Sequence, residues 1–419
     1  MNVGRCNNYR YVYHRILEGG FVEQSSQTKL MSLIVASLDA GSDPMAARTM
    51  SQPTGVYVSA EHLSYERTHI FNQVPLVVGL ADQVRSPGDF FVDDLTGKSL
   101  LIVRDESGEL RGFHNVCGHR GARVQQGGQG CTRRFTCPYH AWTYDTAGVL
   151  VSIPNDDGFA DLDRSTRGLV EFPVESRHGL IWANPEALPE HGIDVAMFLG
   201  DLDRELSEFE IDTYAENRSE LFRESFNWKQ VIDGFLETYH LRFLHRTTVS
   251  PFIRSNFALF DDYGVHGRMV ALRTSFDSMR SERADEFDLL PHIAIIYQVF
   301  PNTILVWQGD HFEVWSSYPG SDASTMVARA SLLTPPSEQA PRQEHWDKNW
   351  ALLMDTVLQE DFVVARAIHD NAAAGIRTES VFGRQEAPLQ HFHQQLEHFT
   401  QNRTEGSDTR RQREDSNGN

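Results

Sequence analysis

The rhythm of apolar and polar positions changes along this chain and divides it. Between about residues 75 and 185, short β-rich runs such as Phe90-Phe91-Val92, Ser99 to Val103 and Gly179 to Trp182 alternate with Pro-Gly, Thr-Gly and Ser-Gly pairs. Short runs broken by turn residues predict a small antiparallel β domain. After Pro185 the stretches lengthen. Phe226 to Tyr239 and His345 to Ala374 carry helical spacing, and His292 to Phe300 and Thr303 to Trp307 read as strands between them. That part is expected to be a larger α+β domain.

The flanks behave differently. Leu63, Ile70 and Phe71 space as a short helix over Ala60 to Phe71, with Ser59 as N-cap. Residues 1 to 55 mix Gly, Ser, Gln and Met without a sustained period, and Met31, Met45 and Met50 each offer an internal start. They are expected to be a poorly ordered extension. Thr400 to Asn419 is almost wholly polar and cannot bury enough apolar surface to fold.

Composition narrows the function classes. Of 419 residues, 40% are apolar and 23% charged, enough to bury a sizeable core. Acidic residues outnumber basic ones 58 to 38, for a formal charge of −20, so phosphate backbones and anionic lipid are repelled and nucleic acid is excluded as a partner. Apolar stretches such as Met31 to Leu38 fall far short of the roughly 20 residues that span a bilayer, and no secretory signal is evident. No membrane partner and a cytoplasmic location are expected. Four cysteines are too few for a disulfide framework.

Two of those cysteines sit beside histidines. Asn115-Val-Cys-Gly-His-Arg-Gly-Ala122 gives C-x-H, and seventeen residues further on Cys137-Pro-Tyr-His140 gives C-x-x-H. Each loop offers one thiolate and one imidazole, which is what a Rieske centre needs: two thiolates on one iron, two imidazoles on the other. A structural Cys2His2 zinc site uses the same ligands, but zinc fingers draw their cysteines as one pair and their histidines as another. Cys131 has no histidine at such spacing and reads as a structural or free thiol.

A one-electron carrier needs an acceptor. Asn227 to His245 contains E-x-x-H-x4-H at Glu237, His240 and His245. Glu237 and His240 would share a helix face, whereas His245 can join His240 on one metal only if the helix ends or bulges. Two histidines and a carboxylate make the facial triad of non-haem iron oxygenases. Alone, that spacing is a weak signal among 18 histidines and 58 acids.

The run Asn115 to Ala122, followed by Cys137-Pro-Tyr-His-Ala-Trp-Thr-Tyr-Asp145, resembles the Rieske domain of ring-hydroxylating oxygenase α subunits, with Gly118 where that family often has proline. Asn227 to His245 resembles the same family's iron-binding helix, and Gln359-Glu-Asp-Phe-Val-Val-Ala-Arg366 resembles the segment that gives its third ligand. The resemblance spans about Tyr57 to Thr400 and implies a fold. An antiparallel β Rieske domain sits beside a catalytic domain with helices on an antiparallel sheet, of START-like or helix-grip type. The plan expected is 1–55 extension, 56–74 N-terminal helix packing on the catalytic domain, 75–185 Rieske domain, 186–400 mononuclear iron domain and 401–419 disordered tail.

It also implies roles. A [2Fe-2S] cluster would sit on Cys117, His119, Cys137 and His140, and a mononuclear Fe(II) on His240, His245 and Asp361, with Glu360 and Asp355 as alternatives to the last. Glu237 would carry electrons from His140 of a neighbouring chain to His240. The implied activity is that of a terminal oxygenase component, which uses O2 and NAD(P)H electrons to mono- or dioxygenate an organic, foremost aromatic, substrate. A separate flavin and iron-sulfur reductase, with or without a ferredoxin, would deliver the electrons, since the chain has no G-x-G-x-x-G motif. A homotrimer is implied, with α3β3 also open. Most aromatic-ring dioxygenases of the family have aspartate where this chain has Glu237, and naphthalene-type enzymes have asparagine at Asp233. An oxygenase or demethylase of a quaternary amine, carnitine- or betaine-like, therefore stays open as an alternative. A pure Rieske electron carrier and a binding protein that has lost its iron are further alternatives. Phe226, Trp228, Trp307, Phe312 and Trp315 are candidates for a pocket lining or for core.

Overall fold

The computed structural model describes residues 24–41, 44–279 and 288–401. Its largest layer is a seven-stranded antiparallel sheet: β1 (Ala215–Glu224), β2 (Ile253–Tyr263), β3 (His266–Arg273), β4 (Ile293–Val299), β5 (Thr303–Trp307), β6 (Phe312–Pro319) and β7 (Met326–Thr334). Strands β2 to β7 follow one another as neighbours, and β1 pairs with β7, giving the order β1-β7-β6-β5-β4-β3-β2. Every position of β4 is buried. The period of two explains why: Ala294 and Ile296 enter one core, and Ile293, Ile295, Tyr297 and Val299 enter the other.

The first core lies under the helices that matter for the site. These are α1 (Lys229–Phe235), α2 (Leu241–Leu244), α3 (Gln343–Thr356), α4 (Phe362–Ala373) and α5 (Ala387–Gln401), with Trp228, Trp346, Phe362 and Phe392 packed beneath them. Between α3 and α4, residues Val357–Asp361 form a single π-helical turn. Such turns insert one extra residue and change the direction in which the following side chains point.

The smaller domain has a five-stranded sheet, ordered Glu171–Phe172, Leu110–His114, Leu100–Arg104, Asp89–Asp93 and Gln129–Cys131, and a three-stranded sheet of Arg134–Thr136, Thr143–Asp145 and Leu150–Ser152. Strand Leu100–Arg104 joins the domains by its alternation. Leu100 and Ile102 belong to the large core, while Leu101 and Val103 pack with Phe113, Trp142 and Tyr144 beneath the two Cys/His loops. The two domains thus form a mixed helix-and-sheet structure of the expected class.

Three details refine or correct the expectation. Within the supposed extension, residues Gln24–Asp39 form a helix whose Leu30, Met31 and Ile34 are buried against the second face of the large sheet, a stripe too short to stand out among polar neighbours. Residues Met50–Pro53 pair with Glu379–Phe382. The extension's first 23 residues, with Cys6, and nearly all of the tail lie outside the described residues. Second, Phe226, Trp228, Trp307, Phe312 and Trp315 are all buried core residues. Third, the helix over Phe226 to Tyr239 stops at Phe235. At the other end Ser59 does cap the helix Ala60–Glu66, its side chain accepting from His62 N at 3.1 Å. Glu66 in that helix then anchors α1: it accepts from Lys229 Nζ at 2.6 Å and Trp228 Nε1 at 3.0 Å, all three groups buried.

Candidate metal centres

The first centre is built by two tight turns. Gly121 N donates to Cys117 O at 3.0 Å, and Ala141 N donates to Cys137 O at 2.9 Å, so each turn closes over its cysteine. Gly121 and Ala141 both have positive φ, 76° and 56°. Gly118 has a separate reason to lack a side chain: a Cβ there would lie 2.6 Å from Arg167 O. The thiols of Cys117 and Cys137 are buried in one core cluster beneath the two turns. The imidazoles of His119 and His140 lie at the surface, their Nδ1 atoms 3.1 Å apart. His119 stacks on Trp142, with centroids 4.8 Å apart and planes 9° from parallel.

That pairing decides between cluster and zinc. Among the described residues only two sets of three or more donors converge within 4.8 Å, and the four residues of these turns do not form one. A single tetrahedral ion would draw all four donors together. A buried thiol pair and an outer imidazole pair instead match a two-iron cluster with unlike ends. Burial raises the Cys117 thiol pKa, and burial with the charges of His140 and Arg120 lowers that of His119, favouring the neutral imidazole that a metal requires. Tyr144, absent from the sequence-based site, completes the centre: its hydroxyl lies 3.2 Å from Cys117 Sγ and accepts from Gly118 N at 2.9 Å.

The second centre forms where α1 breaks. Glu237 and His240 do not share a helix face; they occupy the gap between α1 and α2. The Glu237 carboxylate accepts from the backbone N–H groups of Tyr239 and, at 3.1 Å, His240, which satisfies donors a continuous helix would have used. Its other oxygen meets His240 Nδ1. The short α2 then ends at His245, so both rings reach one point: His240 Nε2 and His245 Nε2 are 3.1 Å apart. Asp361, the last residue of the π turn, places Oδ1 3.0 Å from His245 Nε2 and 3.7 Å from His240 Nε2. Ligands at right angles about 2.1 Å from one metal lie about 3 Å apart, so the three donors fit a single ion.

Glu360 does not join them. It accepts at 2.5 Å from His245 Nδ1 and at 2.7 Å from Thr248 Oγ1, behind the ring. Asp355 is not among the donors that converge with His240 and His245. Burial opposes the His245 imidazolium, but Asp361 and Glu360 outweigh it and raise the pKa. Beside Glu237 a cavity of about 340 Å³ is lined by Asp233, His240, Asp361 and Glu386 among others.

The other convergent set, Asp310, His311 and His345, is of a different kind. Arg342 Nη2 also binds Asp310, at 2.5 Å, and a guanidinium inside the ring makes it an ion-pair cluster rather than a cation site.

Comparison with known proteins agrees with this geometry. Residues 74–169 match the family model of the Rieske [2Fe-2S] domain, and residues 207–402 match that of the ring hydroxylating alpha subunit catalytic domain. The chain belongs to the Rieske non-haem iron oxygenase α-subunit family, whose cofactors are the [2Fe-2S] cluster and a mononuclear iron. It is 28% identical over 238 residues to the glycine betaine monooxygenase oxygenase subunit of Chromohalobacter salexigens, covering 56% of this chain and 53% of that one. It is 31% identical over 191 residues to the benzene 1,2-dioxygenase subunit alpha of Pseudomonas putida, covering 44% and 42%. The chain thus spans about half the length of these curated relatives. The fold is shared with a solved quaternary ammonium Rieske monooxygenase, at TM-score 0.73 and 20% identity, over 84% of this chain and 95% of that one.

Proposed function

We propose that this protein is the terminal oxygenase of a multicomponent system, in which a separate NAD(P)H-dependent reductase supplies electrons for hydroxylation of a small organic molecule by O2. The observation that carries the reading is the convergence of His240, His245 and Asp361 on one point, in a chain that also holds the paired Cys/His turns. When bound, the cluster supplies one-electron transfer and the iron supplies oxygen activation.

The residues divide the remaining work. Cys117, Cys137, His119 and His140 would hold the cluster. His240, His245 and Asp361 would hold the iron. Glu237 and Glu360 each hold a ligand ring by its Nδ1, which fixes the tautomer and aims Nε2 at the metal. Glu237 lines a surface cavity, and exposed apolar residues Val363, Val364, Ile368 and Val381 surround it, while Val116 and Tyr139 are exposed beside the cluster turns. These two patches suit a homotrimer in which His140 of one subunit approaches Glu237 of the next. Among the described residues no helix is long and apolar enough to cross a membrane, in keeping with work in the cytoplasm.

An aromatic substrate is the first reading. Oxidation of a quaternary amine is the second, supported by Glu237 and by the glycine betaine relatives. Substrate-dependent O2 uptake and product formation with a surrogate reductase test the proposal. His240→Ala and Asp361→Ala should lose both while keeping the cluster's visible absorption; retained product formation in either variant would overturn the assignment.

A further inference from the structure

A second cavity, of about 520 Å³, is lined by Val249, next in the chain to the Thr248 that bonds Glu360, and by Arg273, which forms no ion pair among the described residues. It is within the size range of small-molecule sites. Its near end is apolar. Val249 and Ile253 continue the chain after His245, one helical-type turn apart, with Ile253 N donating to Val249 O at 3.0 Å. Leu353 lies eight residues before Asp361, about 12 Å away along a helix axis. The rest of its wall is polar and contains Arg273, the cross-strand neighbour of Ile253.

Arg273 is half-buried, and its three hydrogen bonds go to neutral oxygens: Nε to Ile293 O at 3.1 Å, and Nη2 to Gln308 O and Oε1, both at 2.8 Å. Among the described residues Nη1 has no hydrogen-bond partner, and no carboxylate pairs with this guanidinium. The acids nearby do not fill the gap. Asp310 is taken up by His311, Arg342 and His345. Glu313 is buried, accepts from Gln308 Nε2 at 3.1 Å, and burial raises its pKa towards the neutral acid. Burial disfavours the Arg273 cation, and the charges of Asp310 and Glu313 offset this only in part. A buried cation normally has a paired anion.

We infer that Arg273 receives the carboxylate of the substrate, whose apolar or methylated body extends along Val249, Ile253 and Leu353 towards the iron. This rests on the oxygenase reading and deepens it: the substrate is an organic acid, whether aromatic or a betaine. Phe252 is the only Phe, Tyr or Trp lining this cavity, so it offers no cage of rings for an ammonium group without a carboxylate.

Equilibrium binding to the holoprotein without reductase tests this independently of turnover. The probes are phenylacetate against phenylacetamide, with 4-phenylbutyrate and its amide as a longer pair, and glycine betaine against its amide. At least one acid should bind about tenfold or more tightly than its amide, consistent with a charge-assisted pair. Arg273→Gln should remove that preference and Arg273→Lys should retain part of it. The wild-type comparison stands even if a variant fails to fold. Equal binding of every acid and amide, or a preference unchanged in Arg273→Gln, would overturn the inference. Failure of the oxygenase reading would appear instead as absent substrate-dependent O2 uptake despite bound iron.

Discussion

Glu360 grips His245 from behind, its Oε2 2.5 Å from Nδ1, while the next residue in the chain faces the metal side of the same ring. One π turn therefore carries both the proposed ligand Asp361 and the carboxylate that orients His245. A regular helix would have put the two carboxylates about 100° apart on its surface.

This pair makes iron loading dependent on pH. The raised pKa of His245 means that metal-free protein holds its proton above pH 6.5, the ordinary histidine value. Iron needs the neutral ring, so its affinity falls as pH drops, starting above 6.5. Glu360→Gln removes one cause of the shift, so the fall should move to lower pH, while affinity at pH 8 weakens by about 10- to 100-fold. Fe(II) titrations from pH 6 to 8 check both effects; an unmoved profile would show that Glu360 does not act through His245.

Glu237→Gln should leave both metal centres filled but slow steady-state turnover by about 10- to 100-fold, as expected for loss of a carboxylate that orients a ligand. A single turnover started with a reduced cluster, followed by its reoxidation rate, locates the loss at electron transfer. If reoxidation is as fast as in the wild type, Glu237 is not on the route.

Tyr144→Phe removes the hydrogen bond to Cys117 Sγ. Such bonds favour the more negative, reduced cluster. A difference of about 1.4 kcal/mol between oxidation states corresponds to about 60 mV for one electron. The potential should fall by up to that amount, measured by a redox titration of the cluster's visible bands.

Glu66→Gln should destabilise the protein by about 3–5 kcal/mol, because it leaves Lys229 buried without a partner. Burial opposes the Glu66 anion, but Lys229 and His62 bring its pKa down to about 2. A depressed carboxyl stabilises the fold above the unfolded value near 4.3 and loses that contribution as pH falls towards 2. Urea unfolding at pH 7 and pH 3 should show the variant's deficit shrinking in acid; an equal deficit at both pH values would place its cause elsewhere.

The proposed metal donors could be picked out because their spacing is local: Cys117 with His119, Cys137 with His140, and His240 with His245 each span a few residues. The strands around the first centre were legible for the same reason. Asp361 was reachable only through family resemblance, since nothing local separates it from Glu360, and the π turn that does so carries no Gly or Pro to mark it. Tyr144 stood inside a quoted motif, but its hydroxyl contact joins different turns of the fold. Arg273 had no signal at all. Its significance is the absence of an ion pair among the described residues, which only the assembled sheet reveals.

His245 and Glu360 are 115 positions apart, whereas His119 and His140 are separated by 21. A chain emerging from the ribosome thus presents all four proposed cluster residues before any of the proposed iron residues. Glu360 and Asp361 follow only with the turn after α3, so the proposed iron set is completed after the cluster set.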